Sequence, residues 1–261
     1  MSSTRRILVL TVIMLSLAAC ASTSKSTGDP NNPNADADNP LYSLTLLRQG
    51  SLFLQQGRYE AALERFNESD RIAPGNATTH NMIGLCHLRM GNPELALPSL
   101  QKALELVPSF TDARNNRGIA YTALQQYELA EVDYLAVLRD TTYPHRSEVY
   151  FNLGMTYFQR GLYPAAEENL VRATEGTPPV FDAFLRLAEI ASQTGAIDES
   201  LEYLHRARDL FPQRAEAALA LGRLLVQVGR TGEARKALQD VTRIAPGTAM
   251  AEEATDLLGE T

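Results

Sequence analysis

Residues 77–110 read ATTHNMIGLCHLRMGNPELALPSLQKALELVPSF, and their landmarks return along the chain. Gly84 has counterparts in Gly50, Gly118, Gly154, Ala188 and Gly222, so the small residues stand 34, 34, 36, 34 and 34 positions apart. Ala96 recurs in phase as Ala62, Ala130, Ala166, Ser200 and Ala234, and Pro108 as Pro74, Pro144, Pro178, Pro212 and Pro246. Four places after each member of the alanine series comes a bulky residue: Phe66, Leu100, Tyr134, Leu170, Leu204 and Leu238. That spacing puts small and bulky side chains on one helical face. Each period therefore predicts two antiparallel helices. The small residues let them approach, the bulky one fills the notch beyond, and Pro stops the second helix. A single pair leaves an apolar flank that only a neighbouring pair can cover, so the pairs stack into a solenoid.

A small residue at position 8, Ala at 20, a bulky residue at 24 and Pro at 32 resemble the tetratricopeptide repeat. The resemblance runs from Ser43 to the C-terminus and implies an all-α, right-handed solenoid. Its six repeats are expected at 43–76, 77–110, 111–146, 147–180, 181–214 and 215–248. The remaining segment, 249–261, carries Ala251, Ala254, Leu257 and Leu258 at helical spacing and is expected to cap the last flank. Position 4 departs from the Trp of the family, holding Leu46, His80, Arg114, Tyr150, Phe184 and Ala218 in a chain without Trp. The stretch from Gly229 to Gly232 is rich in glycine, but Gly229 falls at the expected turn between paired helices, not in a phosphate loop.

The 261 residues carry 24 Lys+Arg against 31 Asp+Glu, a net −7, with 44% hydrophobic positions. That balance excludes a wholly disordered chain and one that holds nucleic acid by its charge. Two Cys exclude a disulfide-scaffolded fold. Arg5 and Arg6 precede the apolar run from Ile7 to Leu17, eleven residues long, and then Ala18, Ala19 and Cys20. A positive end, an apolar core and small residues before a cut predict an export signal over 1–19. Eleven residues fall short of the roughly 20 that a helix needs to cross a bilayer. The string Leu17-Ala18-Ala19-Cys20 also resembles the lipobox of bacterial lipoproteins, which implies an acylated Cys20 as the membrane anchor. Ala21 and Ser22 lack the Asp that the family links to inner-membrane retention, which favours the outer membrane. Cleavage would leave 22 basic against 31 acidic residues, a net −9. Residues 20–42 read as the lipidated Cys and a flexible linker; twenty such residues span about 25 Å.

No HExxH, GxSxG or GxxxxGK[ST] string occurs. No catalytic residue, metal, cofactor or small-molecule substrate is assigned. His80, Cys86 and His87 share one expected helix, but Cys86 lies about 100° around it from His87, so packing is preferred over a metal site. The triplets at Asn67 and Asn76 match the glycosylation pattern but are common by chance. Arg117 faces the partner helix and is read as a buried stem with its head paired to an acid.

By the geometry of the family, positions 2, 5, 9 and 12 of each first helix line the concave face. They place Leu44, Leu47, Ser51 and Leu54 there from the first repeat, and Thr78, Asn81, Leu85 and Leu88 from the second. Phe151, Met155 and Phe158 come from the fourth. This apolar stripe is a candidate groove for an amphipathic protein segment. Asp112, Glu148, Asp182 and Glu216 form an acidic row at position 2, with interaction at the positive helix ends as the preferred reason. Leu47 and Ser51 stand where a carboxylate clamp needs Lys and Asn, which disfavours a C-terminal carboxylate ligand.

The third repeat is two residues longer, and its end reads TYPHRSEVYFNLG over 142–154. This junction, with Asn115-Asn116 before Arg117-Gly118, resembles the type IV pilus biogenesis and stability lipoproteins. The resemblance implies a pilotin: an outer-membrane lipoprotein on the periplasmic face that binds secretin subunits and promotes their multimerisation. The groove around Leu44, Leu47 and Leu54 is the expected secretin site. The alternatives are a periplasmic adaptor for envelope proteases or cell-wall enzymes, and a lipoprotein of a tight-adherence pilus.

Overall fold

The computed structural model describes residues 40–259, in which every regular element is a helix. The expected signal segment, Cys20 and most of the linker lie outside the described residues. Six helix pairs follow one another: α1 (Pro40–Gln55) with α2 (Tyr59–Ile72), α3 (Ala77–Arg89) with α4 (Pro93–Leu106), and α5 (Thr111–Ala123) with α6 (Tyr127–Leu138). Then come α7 (Arg146–Gln159) with α8 (Tyr163–Glu175), α9 (Phe181–Gln193) with α10 (Ile197–Leu210), and α11 (Ala215–Gln227) with α12 (Thr231–Ile244). A last helix, α13 (Ala249–Gly259), lies on α11 and α12.

The close approach inside each pair has a measurable basis. A Cβ added to Gly50, Gly84 or Gly222 would lie 2.5 Å from Phe66, Leu100 or Leu238, and one on Gly118 would lie 2.7 Å from Tyr134. Carbon atoms pack at about 3.5–4.0 Å, so each glycine is required by the bulky residue that fills its notch. The bulky residues and the alanines at position 20 are completely or almost completely buried. In the fifth pair Ala188 replaces the glycine, and the Ser200 hydroxyl donates to its carbonyl at 2.7 Å.

Each second helix packs on the first helix of the next pair, and neighbouring first helices touch from α1 through α7. Chain order thus becomes spatial order. Polar rungs join the first helices as well. Buried Asn116 donates its Nδ2 to Oδ1 of Asn81 at 2.9 Å, and the hydroxyls of Thr122 and Thr156 lie 2.8 Å apart. At the C-terminal end Ala254 is buried among Leu219, Leu238 and Val241, and Arg223 donates twice to Glu253 at 2.5 and 2.6 Å. The unusual residues at position 4 are accommodated in different ways. Leu46, Phe184 and Ala218 are fully buried, His80 places Nε2 3.3 Å from Asp70, and Tyr150 lies beneath Arg146 and Arg172.

Two features differ from the sequence pattern. Pro144 does not end α6, which stops at Leu138. Asp140 accepts from the backbone N–H and hydroxyl of Thr142, turning the chain, and Arg146 donates to the carbonyls of Leu138 and Asp140. These bonds satisfy helix-end carbonyls that would otherwise lack partners. The turn inside the third pair also lacks its glycine. Gln125 adopts φ 58° where Gly57, Gly91, Gly161, Gly195 and Gly229 occupy the same left-handed region. Side chains are strained there, so Gln125→Gly is expected to stabilise the protein by about 1 kcal/mol, visible as a higher midpoint in urea.

Arg117 pairs as its position suggests. Its Nε and NH2 donate to both oxygens of Asp133 at 2.7 and 2.8 Å, and Asp133 is 1% exposed. Removing the guanidinium leaves a buried carboxylate facing only Arg114, at 3.7 Å. Arg117→Leu is expected to cost about 3 kcal/mol, and the double variant Arg117→Leu/Asp133→Leu to recover much of it in denaturant unfolding. Equal losses in the two variants would contradict this assignment.

Candidate protein-binding groove

The first helices of the central pairs enclose a concave cavity of about 790 Å³. Its apolar wall comes from Leu85 and Leu88 on α3, Ile119 on α5 and Phe151 on α7. Asp112, Glu148 and Asp182, from the first turns of α5, α7 and α9, make an acidic side. Tyr143 and His145, from the lengthened junction before α7, also line the cavity. The chain reaches there because Asp140 turns it and Arg146 pins it back to α6. The Tyr143 hydroxyl donates to Asp112 at 2.7 Å across the groove, and burial together with that carboxylate pushes the phenol well above its ordinary pKa. The hydroxyl keeps its proton and the bridge persists through the physiological range.

Of the eleven residues expected to line one continuous groove, Thr78 is exposed in the first turn of α3, and the other ten divide between three places. Asn81, Leu85, Leu88 and Phe151 line the cavity. Asn81 is 1% exposed and its carbonyl oxygen is taken by Asn116, so it acts as a rung between helices more than as a free contact. Met155 and Phe158 lie further along α7, half-buried. Phe158 stacks edge-on with Tyr163 and lies beneath Arg186. The first-pair residues do not line this cavity. Leu47 and Leu54 pack against a cluster containing Phe66 and Ile83, and the Ser51 hydroxyl donates to the carbonyl of Leu47 at 2.9 Å. Leu47, Ser51 and Leu54 are half-buried and keep part of their surface open. Leu44 remains 52% exposed.

The acidic row has local partners in addition to the helix ends. Glu148 lies 3.3 Å from His145, while Asp182 and Glu216 flank Arg214 at 3.8 and 3.0 Å. Tyr143 and His145 were missed as groove residues, although the lengthened third period marks the place where they enter. Asn115 and Asn152 also line the cavity, joined at 3.4 Å. Cys86 is fully buried, and burial pushes its thiol up to about 11. Among the described residues no group of three or more His, Cys, Asp or Glu is placed to hold a metal ion, and no helix is long and apolar enough to cross a membrane.

The Tyr143 bridge has a local consequence. Tyr143→Phe removes a hydrogen bond to a carboxylate worth about 1 kcal/mol at an exposed site. Amide exchange over residues 139–146 should accelerate about fivefold while exchange in α5 and α7 stays unchanged. Unaltered exchange in the insertion would remove the bridge from the account.

Models of the tetratricopeptide repeat match residues 35–77, 81–142 and 151–204, and a second such model matches 191–255. The type IV pilus assembly protein PilF of Pseudomonas aeruginosa is 26% identical over 211 residues, covering 81% of this chain and 77% of that protein. The Arabidopsis thaliana CTR9 homolog is 23% identical over 79% of this chain, which spans only 23% of the length of that relative. The solved structure of Pseudomonas aeruginosa PilF aligns with a TM-score of 0.65 at 24% identity, over 84% of this chain and 98% of the other. PilW, described as a widely conserved type IV pilus biogenesis factor, gives 0.70 at 18% identity over 82% and 98%. The chain belongs to the tetratricopeptide-repeat proteins, a family of protein-interaction scaffolds; it is similar in sequence to PilF and shares its fold with PilF and PilW.

Proposed function

We propose that this protein is a pilotin: a lipoprotein anchored through acylated Cys20 at the periplasmic face of the outer membrane, which binds secretin subunits of a type IV pilus. The observation that carries this reading is the similarity to PilF across most of both chains. The lipobox-like Leu17-Ala18-Ala19-Cys20 and the junction over 142–154 add to it. In this role the acyl chains supply the destination and the solenoid holds the cargo. No bond need be made or broken.

The secretin segment is assigned to the concave surface, between exposed Leu44 at its N-terminal end and the central cavity. Leu85, Leu88 and Phe151 offer an apolar wall for the non-polar side of such a segment, and Asp112, Glu148 and Asp182 favour basic residues along its edge. Cys20→Ser is expected to release the protein from the outer-membrane fraction. Leu44→Glu and Phe151→Glu are expected to abolish detergent-resistant secretin multimers while the variants remain folded and localised. Normal multimers in both groove variants would refute the assignment of the binding surface; normal multimers without the protein at all would refute the pilotin role.

A further inference from the structure

None of the residues lining the concave cavity lies on a second helix, and one second helix carries three exposed apolar side chains. On α6, Leu129, Val132 and Leu135 are 48%, 64% and 43% exposed, while Ala130, Asp133, Tyr134 and Val137 hold the helix to its neighbours. At the register of Val132 the other second helices carry Glu64, Pro98, Glu168, Glu202 and Lys236. The repeat therefore makes no packing demand for an apolar side chain there. Three exposed apolar residues on one helix form a ridge that the solenoid does not use.

We infer that this ridge is a weak homodimer contact, in which α6 packs antiparallel against α6 of a second copy about a two-fold axis at Val132. The pattern is palindromic. Leu129 and Leu135 each stand three residues from Val132, so the axis places Leu129 of each copy against Leu135 of the other. The charges at the ends of the ridge obey the same symmetry. Exposed Glu128 precedes it and exposed Arg139 follows it, and the axis brings each within about one helical turn of its opposite in the second copy. Glu128 also lies 3.1 Å from Arg160, which leaves its side chain 77% exposed. The preceding tether is a poor occupant, since residues 21–40 are mostly Ser, Thr, Asn, Asp and Pro and have no large apolar side chain to lay on the ridge.

Three side chains present far less than the ~800 Å² per partner of a standard stable interface, so the association should be weak. Such a contact matters most where copies are concentrated on a surface. This inference stands apart from the pilotin reading, because its test uses purified protein without a secretin.

Sedimentation equilibrium of the full-length chain in detergent, from about 10 µM to about 1 mM, is expected to show a reversible monomer–dimer equilibrium. Val132→Glu, which copies the residue of three sister helices, should weaken dimerisation at least ~tenfold with an unchanged helical spectrum. Arg139→Glu should weaken it less, and Glu128→Arg/Arg139→Glu should restore it. Under mild oxidation Val132→Cys should give a disulfide-linked dimer, whereas Leu95→Cys, on the exposed side of α4, should not. A monomeric mass throughout, a dimer indifferent to Val132→Glu, or equal cross-linking of the two cysteine variants would overturn the proposal. Cross-linking of Val132→Cys to a different envelope protein in place of a second copy would overturn it too.

Discussion

The notch between position 8 and position 24 is the contact on which everything else depends. Gly84 admits Leu100 at a distance that leaves no room for a methyl group, and the same arrangement recurs at Gly50, Gly118 and Gly222. Close approach inside each pair sets the spacing of its two helices, and that spacing fixes the flank offered to the next pair. Because one geometry is repeated, the first helices of the central pairs lie side by side and enclose the concave cavity. A larger residue in one notch would change the angle of one pair and shift every pair beyond it.

Most of the fold was legible because these contacts are local and periodic. A glycine and a leucine sixteen residues apart meet inside one helical hairpin, so spacing alone reveals them. What escaped was set by contacts between repeats or by departures from the period. The end of α6 depends on Asp140 and Arg146 acting together, while the visible Pro144 had no part in it. The pairing of Asn116 with Asn81 spans two repeats and turns an expected groove contact into a buried rung. Leu47 and Leu54 stand at groove positions in the repeat pattern, and their packing on the cluster of Phe66 and Ile83, half-buried, was not visible from spacing.

The insertion shows how a repeat array acquires a particular site without abandoning its architecture. Two extra residues in the third period let Tyr143 and His145 reach the cavity, and Tyr143 secures the detour through Asp112. The surrounding helices keep their order. A cavity with an apolar wall and an acidic side suits a segment with non-polar and basic faces, and it asks for no reaction chemistry. On α6 a register that carries Glu or Lys in four of the other second helices holds Val132, flanked by exposed Leu129 and Leu135, while the inward face stays intact.

The central functional claim is that this scaffold carries a secretin subunit. Its most direct test is affinity capture of the full-length protein extracted from membranes in mild detergent, with the bound proteins identified by mass spectrometry. The account predicts that a secretin is recovered with it, in an amount comparable to the bait and reduced when extraction disrupts protein contacts. Recovery of the intact, folded protein without any secretin, from cells that assemble secretin multimers, would contradict it.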